Sequence, residues 1–392
     1  MRRRIFLKTT TIPVLASCLP LRTGWPFASE TKAKPLHYGN KQIIDELTKL
    51  IPQLMQESVV PGTSIALVGD GKVFWQQGFG VKNVENKERV GTDTVFEAAS
   101  VSKTVFAYFV LKLCENKVIG LDTPLSKYVP MSFLGNDPQL DLITPRHVLS
   151  HTTGFQNIRS TDSPLKVHFK PGSQFDYSGE GYWCLQSVIA RVHGRENAGE
   201  CGQYEADLKV CATDFDAALK QNVLAPFGMK SSGYVWRNEF AKQAASPHDV
   251  AGKPHAKKRP TATDIARYGA MGELHTTCTD YAKFLIEVLD PRPANSFRLT
   301  KKMHQEMLRP QVKLKEEGKI DGADAWALGW AVQQRKTGDV ILHSGGQDGF
   351  RSLTMGSVAR KSGFVMFTNS DNGGKVLFHP KLATVLNTLL IS

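Results

Sequence analysis

The stretch Phe96-Glu-Ala-Ala-Ser100-Val-Ser-Lys103-Thr-Val-Phe-Ala-Tyr-Phe-Val-Leu-Lys-Leu113 decides how this chain is read. It places a serine at the mouth of an apolar helix, with a lysine three residues on. Positions i and i+3 share one helix face, so the Lys103 ammonium can reach the Ser100 hydroxyl. The helix N-terminus adds positive potential and unpaired N–H groups where an oxyanion would form. Ser-x-x-Lys also occurs at Ser29…Lys32 and Ser163…Lys166, and neither copy opens an apolar helix. The choice among the copies rests on whether the chain also supplies a base, an oxyanion hole and a substrate clamp.

Outward from this helix, the pattern divides the chain. Ile43, Ile44, Leu47, Leu50, Ile51, Leu54 and Met55 recur at helical spacing, which predicts an amphipathic helix from about 41 to 58, stopped by Pro61-Gly62. Ser64–Val68 and Val73–Gly78 read as strands of a hairpin turning at Gly69-Asp70-Gly71-Lys72. Helices are expected over 101–115, 144–151, 181–193, 214–224 and 279–289. Strands return at Trp326–Gln333, Val340–His343, Arg351–Met355 and Phe364–Thr368, and a last helix runs from about Lys381 to Leu390. The expected class is α+β: an antiparallel sheet flanked by N- and C-terminal helices, plus an inserted helical lobe. The sheet lobe would take about 41–95 and 325–392, the helical lobe about 96–324, and the cleft between them would hold the site.

The first forty residues read as export and tether. Arg3-Arg4-Ile5-Phe6-Leu7-Lys8 resembles a twin-arginine signal, followed by a short, weakly apolar stretch to Ser17. Leu15-Ala16-Ser17-Cys18 resembles a lipobox that would lipidate Cys18; cleavage near Ala28 is the alternative, against which Pro26 counts. Residues 18–40 are the tether. The expected location is the periplasm, with the membrane reached only through the lipid.

The bulk composition bounds the rest. The 392 residues are 41% hydrophobic, enough for a sizeable core, and no apolar run reaches eighteen residues. The net charge of +12 suits solubility or anionic envelope polymers. No basic–aromatic stripe points to nucleic acid. Cys201 and Cys211 flank a polar stretch and could close a disulfide loop in an oxidising compartment. Cys114 and Cys184 lie in apolar runs and read as small buried hydrophobes.

Four signals follow Ser100: Leu149-Ser-His-Thr-Thr-Gly-Phe155, Pro171-Gly-Ser-Gln-Phe-Asp-Tyr177-Ser-Gly-Glu-Gly-Tyr182, Gly269-Ala-Met-Gly-Glu-Leu-His-Thr-Thr-Cys-Thr-Asp280 and His343-Ser-Gly-Gly-Gln-Asp-Gly-Phe350. In these residues, from about 41 to the end, the chain resembles the serine β-lactamase-related superfamily. It is closest to the branch of class C β-lactamases, D-Ala-D-Ala carboxypeptidases and β-lactamase-fold esterases. The order Ser-x-x-Lys, Tyr-Ser-x, His-x-Gly carries the resemblance far more than any single motif.

The resemblance implies Ser100 as nucleophile, with Lys103 and Tyr177 as its base system. It implies an oxyanion hole from the N–H groups of Ser100 and Gly346. His343, Ser344, Gly345 and Gly179 would line the substrate. An alcohol is a poor nucleophile at neutral pH without an adjacent base, so these roles agree with the residue chemistry. Two positions depart from the family pattern. Gly179 stands where an asparagine commonly binds the substrate's acyl-amide. His343 stands where a lysine commonly attracts a carboxylate, and histidine is largely neutral at pH 7.

Rival signatures are weak. No Gly-x-Ser-x-Gly elbow occurs, and His147 and His151, four apart, lack a third metal ligand nearby. No metal or organic cofactor is implied. The expectation is a serine hydrolase acting on small esters or D-amino-acid amides and peptides, with β-lactams poor substrates. A β-lactamase or carboxypeptidase proper is the nearer alternative. A non-catalytic envelope receptor for peptidoglycan fragments or β-lactams is the alternative from another class.

Overall fold

The computed structural model describes residues 39–131, 134–159, 165–192, 214–256 and 260–391. The expected export signal, Cys18, the tether to residue 38, and Cys201 and Cys211 lie outside the described residues. The strands are β1 (Gly62–Gly69), β2 (Lys72–Gly80), β3 (Phe96–Glu97), β4 (His275–Thr276), β5 (Val312–Lys313), β6 (Ala325–Trp326), β7 (Ala331–Gln333), β8 (Val340–Gln347), β9 (Phe350–Ser357) and β10 (Ser362–Thr368). The helices are α1 (Asn40–Ser58), α2 (Ser102–Glu115), α3 (Pro145–Leu149), α4 (Gly179–Val192), α5 (214–224), α6 (Asn238–Gln243), α7 (Ala262–Gly272), α8 (Cys278–Leu289), α9 (Lys301–Leu308), α10 (Gly373–Leu377) and α11 (Pro380–Ile391).

Eight strands form one antiparallel sheet in the order β2-β1-β10-β9-β8-β7-β6-β5. Both faces are covered, so β1 and β10 carry unbroken apolar runs, Ile65–Val68 and Phe364–Phe367, rather than alternating. Ile65 and Leu67 of β1, with Phe364 and Met366 of β10, join the core under α1 and α11. Ala66 and Val68, with Val365 and Phe367, face the other way into the core that holds α2 and α8. Each large apolar side chain buried this way contributes roughly 1.5–3 kcal/mol. The period of two along β1 and β10 thus fixes which face meets which helices. α2 is buried on every side from Ser102 to Leu113, as an all-round apolar helix must be. The fold is the expected α+β arrangement. No helix among the described residues is long and apolar enough to cross a membrane.

The structure corrects two expected strands. The run Trp326–Gln333 is two short strands, β6 and β7, because Gly329 turns the chain at φ +86°. A Cβ there would sit 2.4 Å from the Ala107 Cβ of α2, so the hairpin presses directly on that helix. The strand expected to stop at His343 continues to Gln347, where it pairs with Phe350 of β9; the glycines stay in the ladder. α7 and α9 were not expected from the sequence, and β5 comes from the stretch read as helical lobe. Cys114, Cys184 and Cys278 are free thiols; Cys184 and Cys278 are buried and pushed up to about 12 by that burial.

Candidate active site

Ser100 sits in a 3-10 turn, Ala99–Val101, that leads directly into α2. Ala99 holds φ +49°, a conformation that costs a non-glycine residue of order 1 kcal/mol or more. Several bonds impose it. The Ala98 N–H donates to the Leu274 carbonyl at 2.8 Å, and the Ser352 hydroxyl donates to the Ala98 carbonyl at 2.7 Å. The Ser102 hydroxyl donates to the Ala99 carbonyl at 2.6 Å and accepts from the Leu274 N–H at 3.0 Å. The Ser100 turn is therefore held from α2, from the segment after α7, and from β9.

Lys103 is 1% exposed, in the first turn of α2. Its Nζ donates to Ser100 Oγ at 3.2 Å and to the Met271 carbonyl of α7 at 2.6 Å. The same nitrogen lies 5.1 Å from the Tyr177 ring centroid and 5.5 Å from that of Tyr182. The expected i, i+3 geometry and the convergence of Tyr177 on the same pocket are both observed. The Met271 carbonyl is a further partner that no local motif announced.

Tyr177 is buried in an aromatic box. The His151 ring stacks on it with centroids 4.2 Å apart, and Trp326 meets it edge-on at 5.7 Å. His151 accepts the Ser178 N–H on Nδ1 at 3.0 Å. A peptide N–H can only donate, so neutral His151 carries its proton on Nε2. Burial, then the nearby Lys103 charge, holds His151 well below the usual histidine range. His147 serves elsewhere: its Nδ1 accepts the Thr144 N–H at 3.3 Å in the cap of α3. Among the described residues no group of three or more metal-ligating side chains converges.

β8 forms the opposite wall. β7 pairs with it only as far as Leu342, so from His343 to Gln347 the described strands leave one edge of β8 open. A Cβ on Gly345 would lie 2.8 Å from the Ser100 nitrogen and 2.3 Å from the Ser352 hydroxyl. Only glycine lets the strand backbone lie this close to the Ser100 turn. That contact seats the Ser100 turn directly on β8 at Gly345. His343 is 2% exposed; burial and the Lys103 charge push its imidazole down to about 3. It is a neutral side chain 6.3 Å from the Tyr177 ring, and its Nδ1 lies 2.6 Å from the Ser344 carbonyl. Asp321, buried beside the Ser344 hydroxyl, is pushed up to about 7 by burial, and the sequence reading missed it.

Gly179 opens α4 on the third side. Next to it Glu180 is fully buried, paired with Arg159 at 3.3 Å and with Arg267. Both guanidinium groups stack on Trp183, at 4.8 and 4.4 Å from its ring. This brace ties α4 and α7 to the segment that carries Arg159. The sequence reading missed it because its members are far apart along the chain.

The comparisons agree with this geometry. The family model described as Beta-lactamase matches residues 47–385. Protein flp of Staphylococcus aureus strain N315 is 23% identical over 364 residues, covering 88% of this chain and 66% of that protein. The chain thus spans just under two thirds of that relative's length. Penicillin-binding protein 4* of Bacillus subtilis strain 168 is 22% identical, covering 83% of this chain and 71% of that protein. Among solved structures, the D-alanine carboxypeptidase AmpC from Burkholderia cenocepacia has a TM-score of 0.70 at 18% identity, covering 90% of this chain and 100% of that one. The octameric penicillin-binding protein homologue from Pyrococcus abyssi gives 0.69 at 21%, covering 88% and 77%. At these identities the structural likeness speaks for the fold, and the family model, spanning most of the chain, makes this protein a member of the β-lactamase family.

Proposed function

We propose that the chain is an exported serine hydrolase that works through an acyl-enzyme on Ser100. The observation that carries this is the 3.2 Å contact of the buried Lys103 ammonium with Ser100 Oγ, beside Tyr177 and the open edge of β8. As Ser100 Oγ attacks a carbonyl carbon, the Lys103–Tyr177 pair takes its proton. The oxyanion forms between the N–H groups of Ser100 and Gly346, each such donor worth roughly 3 kcal/mol. The carbon–leaving-group bond then breaks, and the proton passes to the leaving group. Water attacks the Ser100 ester, the carboxylic acid departs and the hydroxyl is restored.

Small esters and D-amino-acid amides or peptides are the favoured substrates, with β-lactams slow. The supporting fact is that His343 is buried and neutral, so it offers no cation to a carboxylate. A panel of a nitrophenyl ester, a chromogenic cephalosporin and a D-Ala-D-Ala peptide tests this in wild type and Ser100→Ala. Activity surviving in Ser100→Ala overturns the mechanism, and fast cephalosporin turnover overturns the substrate preference. Export by the twin-arginine-like signal and lipidation at Cys18 belong to the same proposal. Membrane fractionation unchanged by Cys18→Ser would refute the anchor.

A further inference from the structure

The turn that joins β8 to β9 is built around one guanidinium. Gln347 and Phe350 flank a two-residue loop, Asp348-Gly349, in which Gly349 holds φ +73°. In such a hairpin the closing pair exchanges hydrogen bonds and the next pair does not. The next pair here is Gly346 and Arg351. The N–H and C=O of Gly346 therefore face outward, to the side that β7 leaves open beyond Leu342. Side-chain positions are closest together in a pair of this kind. A Cβ on Gly346 would lie 3.3 Å from Arg351 Cδ, 3.4 Å from its Nε and 3.7 Å from its Cζ. The guanidinium thus lies against the Gly346 backbone.

The Nη donors of Arg351 go to the turn and to one carboxylate. Nη1 donates to the Gln347 carbonyl and to the Phe350 carbonyl, each at 2.7 Å. Nη2 lies 3.2 Å from Asp371 Oδ1, and that same oxygen accepts the Gly349 N–H at 2.9 Å. Asp371 is itself held from the loop that carries His248 and His255. Its Oδ2 lies 2.6 Å from His255 Nε2, and its N–H donates to the His248 carbonyl at 3.0 Å. One ion pair therefore touches Gly346, Gln347, Gly349 and Phe350 at once.

We propose that Arg351, held by Asp371, is a positioning residue for the oxyanion hole. It locks the end of β8 so that the Gly346 N–H stays aimed at the oxygen that turns anionic as Ser100 attacks. This rests on the Ser100 acyl-enzyme reading. It adds that half of the hole is preorganised by a side chain of β9, outside the motifs that carry Ser100, Lys103 and Tyr177. A reacting group displaced by about 1 Å can cost on the order of 10²-fold in rate, so loosening this clamp should be felt in the transition state.

The test uses the full chain, nitrophenyl propionate and phenylboronic acid, whose tetrahedral adduct on Ser100 places a boronate oxygen where the oxyanion forms. Arg351→Met keeps an aliphatic stem against Gly346 and removes the donors. It should lose about tenfold or more in kcat/KM and weaken boronate inhibition by a similar factor, since both need the aimed N–H. Asp371→Asn keeps an oxygen for the Gly349 N–H and releases the guanidinium; it should lose more than about twofold on both measures. A rate loss without a matching loss of boronate affinity overturns the inference, because general loosening of the fold would not link the two. So does a kcat/KM within about twofold of wild type in both variants. If Arg351→Met does not fold, Asp371→Asn is judged by the same two ratios. If wild type and Ser100→Ala cleave the ester alike, the acyl-enzyme reading itself has failed. Cleavage that needs Ser100 but tolerates both substitutions sinks the assignment of Arg351 alone.

Discussion

The two walls of the cleft are built by different means. On the Ser100 wall the functional groups are backbone, or side chains anchored by backbone: the Ala98–Ser102 turn, the Gly345 approach of β8, and Lys103 held by the Met271 carbonyl. On the α4 wall a loop and a helix start are held by side chains, namely the Asn157 carboxamide and the Arg159–Glu180–Arg267 brace. On the proposed mechanism the first arrangement preorganises charge stabilisation, which is worth most when it needs no reorganisation during the reaction. The second can change its recognition groups without disturbing the first. Of the two departures from the family pattern, His343 lies on β8 in the first wall and Gly179 in the second. Ser100, Lys103 and Tyr177 keep their places, and Gly179 lies on the wall built from side chains.

The comparison predicts unequal responses to mutation. On the proposed mechanism Tyr177→Phe removes a proton-transfer group and should cost about 10²–10⁴-fold in kcat. His343→Ala removes a neutral packing partner and should cost far less; equal losses in ester kinetics would mean that the base is misassigned. On the α4 wall, Glu180→Ala leaves two half-buried guanidinium groups without their carboxylate. It should destabilise the fold by about 3–5 kcal/mol in denaturant melts. A loss below about 1 kcal/mol would show that the brace is not what holds this wall.

A further expected effect is a pH slope. His343 falls from 6.5 unfolded to about 3 folded, so between these values the unfolded chain binds the extra proton. Its contribution therefore leaves stability highest above about pH 6.5 and lowers it as pH falls towards 3, by at most about 1.4 kcal/mol per pH unit. His151 acts in the same direction. Asp321 acts oppositely: raised from 3.8 to about 7, it lowers stability as pH rises through that window. The readout is thus the difference between wild type and His343→Gln, not the wild-type slope alone. The variant should lose less stability on acidification, and parallel curves would contradict a buried neutral imidazole.

Much of this was legible before the structure. Ser100, Lys103 and Tyr177 sit in local patterns: a helix mouth, an i, i+3 pair and a glycine-framed turn. The sheet strands were legible because β1 and β10 are short apolar runs between turn residues. What stayed hidden depends on contacts through space. Nothing near Met271 announces that its carbonyl receives Lys103. Asn157, whose carboxamide oxygen accepts the Gly179 N–H, lies 22 residues before it, and its only sequence signal is a short polar residue after the Gly154 turn. The β6–β7 hairpin was missed because the Gly329 turn lies inside an otherwise apolar run. His147 and His151, four apart on the chain, prove to serve different backbone N–H groups.

The central claim is that Ser100 is acylated during turnover. The direct measurement is acid quenching during hydrolysis of a nitrophenyl ester, followed by intact mass and peptide mapping. The account predicts a mass gain of one acyl group on the peptide carrying Ser100, absent from Ser100→Ala. Steady turnover with Ser100 unmodified, or an acyl group mapped to another residue, would contradict it.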